Sequence, residues 1–236
     1  MSSEFRDERP PELPNAAHAA LTLVLDTSPS MAQIYNGKTH IQLLCDGVNE
    51  MISSLKQDGR LSKVIDLSII TFNDKGAENH YQNFAPLEHV QPVSLATAGE
   101  STYAAVAIEM ALNDTRSRCR EYGECWKPWI ILFTDGKIFD DLSAVGSIIH
   151  RREEDALLHF ICLGVPGYDA QQLFTLTDKV AELIAYDFKG FFNWVAKSMK
   201  AVSVSAPGSE VSLPPPTANT HAQGQNSFYV VAGQID

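Results

Sequence analysis

The stretch LTLVLDTSPSM, residues 21–31, constrains this chain more than any other part of it. Five apolar or β-branched residues run directly into Asp26, and Ser28 and Ser30 follow at two-residue steps. A short apolar run that ends in a polar, turn-rich segment predicts a buried parallel strand whose C-terminal end opens onto a loop. In an open α/β sheet that edge is where ligands bind. One carboxylate and two hydroxyls gather there, and all are hard oxygen donors of the kind Mg²⁺ prefers.

The rest of the chain supplies the partners such a strand needs. From Thr39 to Lys56 the apolar positions Ile41, Leu44, Val48, Met51, Ile52 and Leu55 recur at three- and four-residue steps, predicting an amphipathic helix that stops at Asp58-Gly59. Residues 63–72 (KVIDLSIITF) predict a strand, and 80–90 a weaker extended edge. A helix is expected from Thr102 to Arg120. Pro128 then introduces WIILFTDG, a buried strand over 129–136 that ends in an acidic turn. A helix over 141–154, capped by Asp140 or Asp141, precedes a strand at 157–165 and a short helix near 169–176. An extended segment at 181–186 and a last helix over 187–202 complete the series. Strands and helices that alternate in this way predict a doubly wound, mostly parallel α/β sheet flanked by helices.

Three regions differ in character. Residues 1–19, with Pro10, Pro11 and Pro14, predict a lead-in of little structure; 20–202 form the domain; 203–236 form a Pro/Ser-rich arm. The Phe-Tyr-Val-Val run near the end of that arm is suited either to dock as a strand or to bind a partner. The chain has 236 residues with 44% apolar and 20% charged side chains, enough for one packed α/β domain and an appendage. Its formal charge of −11 argues against nucleic acid or an anionic membrane as the main partner. Cys45 and Cys162 sit in apolar patterns and read as core residues. Cys119 and Cys125 lack the usual zinc spacings. The absence of an apolar signal core or of a long apolar run makes a reducing cytoplasm the expected compartment. The seven histidines show no ligand spacing and read as surface or satisfied residues. Trp126, Trp129 and Trp194 read as packing residues.

Further oxygen donors fall at comparable places. Thr102 lies in AGEST, at the entrance to a helix, and Asp135 ends the strand WIILFTD. Each has a plainer reading alone: Ser28 and Ser30 as a turn, Thr102 as an N-cap, Asp135-Gly136 as a turn signal. Together and in this order they closely resemble the von Willebrand factor A (VWA) domain and its metal-ion-dependent adhesion site. That family's pattern is DxSxS, then a threonine, then an aspartate in a TDG-like turn. The resemblance covers residues 20–202 and matches Asp26, Ser28, Ser30, Thr102 and Asp135 to the five metal ligands. LSIITF, KPWIILFTDG, FFNWVAKSM and the LPPP tail are most similar to the bacterial TerY-like (YegL-like) branch associated with tellurium resistance. Two details depart from the common pattern: Pro29 replaces a glycine, and Glu100-Ser101 stands where a glycine pair often precedes the threonine.

The resemblance implies a Rossmann-like fold with Mg²⁺ (or Mn²⁺ or Ca²⁺) at the C-terminal edge of the strands, and a protein partner that presents Asp or Glu to the metal. It implies no catalysis. It further implies an intracellular scaffold in a stress or tellurium-resistance system, with a kinase or phosphatase of the same gene cluster as a candidate partner, and a last helix (187–202) of the kind that shifts in this family. The alternative is a Mg²⁺-dependent phosphatase resembling the haloacid dehalogenase superfamily, with Asp26 as nucleophile and Asp135 and Asp140 on the metal. That chemistry needs a second aspartate two residues after the nucleophile, and Ser28 cannot transfer protons in its place. An extracellular adhesin would also suit the site, but the sparse cysteines and absent signal core weigh against it.

Overall fold

The computed structural model describes residues 17–73, 80–209, 211–215 and 228–232. The most apolar strand, β1 (Ala19–Asp26), lies near the middle of a seven-stranded sheet and is buried along its whole length. Leu21, Leu23 and Leu25 face one layer while Val24 faces the other, so alternation distributes one strand between two cores. Thr22, on the second face, is satisfied by a 2.7 Å bond to the Thr115 hydroxyl.

A small hairpin, β2 (Ile34–Tyr35) with β3 (Lys38–Thr39), follows β1 and had no counterpart in the expected elements. Its signal is the pair Asn36-Gly37, whose φ values of 50° and 81° suit a primed hairpin turn. Helix α1 (His40–Lys56) then opens with a capping box, in which Thr39 and Gln42 exchange side-chain and backbone bonds. A single helical turn, α2 (Leu61–Val64), occupies the first residues of the expected 63–72 strand, which begins at β4 (Ile65–Phe72). β5 (His80–Pro86) forms the expected edge and pairs antiparallel with β4.

The chain returns through α3 (Ala105–Tyr122) to β6 (Trp129–Thr134), on the other side of β1. There follow α4 (Ser143–Glu154), β7 (His159–Gly164), α5 (Ala170–Phe174), β8 (Val180–Leu183), α6 (Phe188–Ser203) and β9 (Phe228–Ala232). The sheet order is β5-β4-β1-β6-β7-β8-β9, parallel except for the two outermost strands. β8 stops before the predicted residue 186 because Ala185 and Tyr186 turn left-handed, at φ 52° and 56°. The Phe-Tyr-Val-Val run docks as a strand, one of its two expected uses.

One core lies under α1 and α6, the other under α3, α4 and α5. Gly47 sets the distance between α1 and α6: a Cβ there would stand 2.9 Å from the backbone of Phe188. Trp129 and Trp194 pack 5.9 Å apart in that layer, and Cys45 and Cys162 are buried, as expected. The arm begins along the same layer, where Trp126 and Trp194 donate their indole N–H groups to the carbonyls of Ser205 and Pro214. Of the lead-in expected over 1–19, residues 1–16 lie outside the described residues, as do 210, 216–227 and 233–236 of the arm, while His18 bridges to Cys125 and Ala19 already belongs to β1.

Candidate metal centre

β1 and β6 are neighbours, yet the chain leaves β1 toward β4 and reaches β6 only after reversing direction. Their C-terminal ends therefore flank the topological switch point, where a doubly wound sheet opens its crevice. Asp26 ends β1 and Asp135 follows β6.

Four of the five predicted donors are joined there by hydrogen bonds. Asp26 Oδ1 accepts the Ser28 amide at 2.8 Å, and Oδ2 accepts the Thr134 hydroxyl at 2.8 Å. The Ser28 and Ser30 hydroxyls lie 2.9 Å apart, and Ser30 donates to Asp135 Oδ1 at 2.5 Å. The loop holding the serines is a 3-10 turn over Pro29–Ala32, with Ser28 in the capping position. Pro29, the departure from the family pattern, sits at the first helical position, where its fixed φ fits and its missing N–H costs nothing. Met31 is fully buried and anchors the turn to the core.

Thr102 reaches the same edge by another route. It is buried in the approach to α3, and its carbonyl accepts the amide of Phe139, four residues beyond Asp135. Ala98 N also donates to the Thr27 carbonyl, so the loops after β1, β5 and β6 are tied together.

Asp140 departs from its expected roles. Its two oxygens accept the amides of Ala104 and Ala105, so it caps α3 from a distant loop rather than capping its own helix. This explains why α3 starts at Ala105 instead of Thr102. It also removes Asp140 from the metal set that the phosphatase reading requires. Asp141 accepts from both the amide and the hydroxyl of Ser143 at the start of α4, a local turn bond in front of the helix.

Sequence reasoning did not single out His40 or Thr134. His40 opens α1, is 4% exposed, stacks on Tyr186 at 4.3 Å and places Nδ1 3.3 Å from Asp135 Oδ2. Its signal was position alone: it directly follows the Thr39 cap. Thr134 precedes the aspartate in TDG and ends β6, and its hydroxyl reaches Asp26 at the end of the neighbouring strand.

The electrostatics are unusual for a structural cluster. Asp26 is fully buried and the Asp135 side chain is 1% exposed. Burial pushes the Asp26 carboxyl up to about 6; bonds from Ser28 and Thr134 oppose this, and the Asp135 charge adds to it. Among the described residues no Lys or Arg pairs with either aspartate. Two buried carboxylates with hydroxyls between them, and only the His40 imidazole beside Asp135, make a donor set that suits a hard divalent ion. Among the described residues no cluster of three or more His, Cys, Asp or Glu side chains could hold a metal ion, in this crevice or elsewhere, so a cation here would depend on the hydroxyl donors as well.

No protein-family model matches the chain, and no curated protein matches it in sequence. Solved structures do share its architecture. The pilus adhesin SpaC from Lactobacillus rhamnosus GG aligns with a TM-score of 0.64 at 15% identity, over 79% of this chain and 31% of SpaC. The VWA domain of SpRpn10 aligns with a TM-score of 0.53 at 14% identity, over 74% of this chain and 95% of that domain. Proximal thread matrix protein 1 from the mussel byssus gives 0.53 at 16% identity, over 77% of this chain and 48% of the mussel protein. This chain thus spans nearly all of the SpRpn10 domain but no more than about half of the other two. Identities this low speak to the fold alone. The chain has the fold of a von Willebrand factor A domain.

Proposed function

We propose that this protein is a metal-dependent protein-binding module. Asp26, Ser28, Ser30, Thr102 and Asp135 would hold Mg²⁺, or Mn²⁺ or Ca²⁺ in its place. The observation that carries this reading is the pair of buried carboxylates at the switch point with no Lys or Arg to balance them. A divalent ion bound there would supply that charge. With three of five donors neutral, it would remain electrophilic enough to attract a carboxylate from outside. The partner therefore presents an Asp or Glu.

The surface around the crevice supports a protein partner. Tyr103 follows Thr102 and Phe139 stands four residues beyond Asp135; they are 40% and 61% exposed and lie 6.4 Å apart between ring centroids. Exposed aromatic side chains beside a polar centre suit a protein interface. SpaC, which shares the fold, is a pilus adhesin. No described helix is long and apolar enough to cross a membrane. We place the module in the cytoplasm, as a TerY-like scaffold in a stress or tellurium-resistance system, with a kinase or phosphatase of the same gene cluster as candidate partner. The phosphatase reading loses support twice, through Ser28 where an acid is needed and through Asp140 committed to capping α3.

A pulldown with the purified chain in Mg²⁺ and again in chelator tests the reading. Partners held in Mg²⁺ should be released by chelator and absent with Asp135→Ala. A partner set indifferent to both changes would contradict it.

A further inference from the structure

The opposite edge of the sheet carries a feature that the metal centre does not use. Six of the chain's 18 Lys and Arg residues line one groove there: Arg116 and Arg120 of α3, Lys127 before β6, Arg151 and Arg152 of α4, and Lys179 before β8. Three carboxylates share the lining, Glu109, Glu153 and Asp155. Glu153 is already engaged by Lys179 at 2.6 Å and by the Thr177 hydroxyl at 2.8 Å. Among the described residues Arg116, Arg120, Lys127 and Arg151 form no ion pair.

This concentration works against the fold. Arg116 and Arg120 are four residues apart on one helix face, where like charges repel. The guanidinium of Arg152, half-buried, is held below the usual arginine range by burial and by the charges of Arg116 and Arg120. Helix ends account for part of the pattern, since Arg120, Arg151 and Arg152 lie in last turns that favour cations. They do not account for Arg116, nor for Lys127 and Lys179 converging on the groove from other segments of a chain with a charge of −11.

The groove is also apolar in part. Ile148 and Leu157 line it while 43% and 61% exposed, beside the buried Trp126 and Leu158. Its volume of 2150 Å³ exceeds the several hundred to about 1,000 Å³ typical of a small-molecule site and suits a segment of polypeptide. We propose that it docks an acidic, apolar-anchored segment of a partner protein, with carboxylates on the Arg and Lys residues and apolar side chains against Ile148 and Leu157. The acidic remainder of the chain opposes a long polyanion such as nucleic acid, and a phosphodiester backbone has no use for exposed Ile and Leu. The groove and the metal centre lie at opposite ends of the strands, so this docking is independent of metal.

Fluorescence anisotropy of a short labelled peptide alternating Glu and Leu, with the full chain in chelator, tests the proposal. Binding should weaken with salt and fall about tenfold or more in Arg116→Glu/Arg120→Glu/Arg151→Glu, whose three positions are exposed. It should also fall in Ile148→Asp/Leu157→Asp, and remain unchanged when the chelator is replaced by Mg²⁺. Equal binding to the triple variant would overturn the proposal, as would tighter binding of a single-stranded oligonucleotide than of the peptide. Failure in chelator leaves the metal reading untouched, because that reading is tested in Mg²⁺.

Discussion

Asp26 sits at the end of a fully buried strand, receives two hydrogen bonds, and still has its carboxyl pushed up to about 6, mainly by burial. Without metal, the folded chain therefore holds a proton at Asp26 that the unfolded chain releases near its ordinary value of 3.8. Proton uptake on folding means that stability falls as pH rises from about 4 to about 6, by something on the order of 3 kcal/mol, and levels off above. Urea melts in chelator across that range should show the decline, and Asp26→Asn should flatten it. A stability that climbs through the same window would show that this carboxyl is not the one titrating. The five candidate donors stand out in the sequence because each is a short-range signal: a polar residue at a strand end or helix start. His40 and Asp140 were not, because their roles depend on which loops meet. The approach of α1 to Asp135 and of the β6 loop to α3 is decided by packing many residues away.

Elements were legible wherever one period dominated. The three- and four-residue spacing of apolar positions in α1 and the continuous runs of β1 and β6 leave little choice of structure. Boundaries moved where a local device intervened: Asp140 capping α3, the α2 turn in front of β4, and the left-handed pair Ala185 and Tyr186 ending β8. The hairpin was readable from Asn36-Gly37 but stood in a segment of weak hydrophobic pattern. Packing between elements was not legible at all. Nothing in the sequence marks Gly47 as the point where α6 approaches α1. Gly47→Ala places a methyl group 2.9 Å from Phe188 and should destabilise the chain by about 1–3 kcal/mol, despite the better helix propensity of alanine. Thermal melts would measure this, and a variant as stable as the parent would mean that α6 yields without cost.

At the scale of the molecule, the fold places two different surfaces at the two ends of one parallel sheet. The C-terminal ends of β1 and β6 present buried carboxylates with an aromatic rim; the N-terminal ends of β6, β7 and β8 border a basic groove. The first lies at strand ends, and alternating strands and helices imply a parallel sheet whose C-terminal ends share one edge, so fold class and the candidate site's place were readable together. The second was not, because its cations are spread over 64 positions, from Arg116 to Lys179, and only the three-dimensional arrangement gathers them. The proposed function rests on divalent-cation binding in the crevice between β1 and β6. Isothermal titration of Mg²⁺ into the folded chain at neutral pH, repeated with Asp26→Asn and Asp135→Asn, tests it directly. One site in the parent chain, lost in both folded variants, is the predicted result. No binding by the parent, or binding undiminished in both variants, would contradict it.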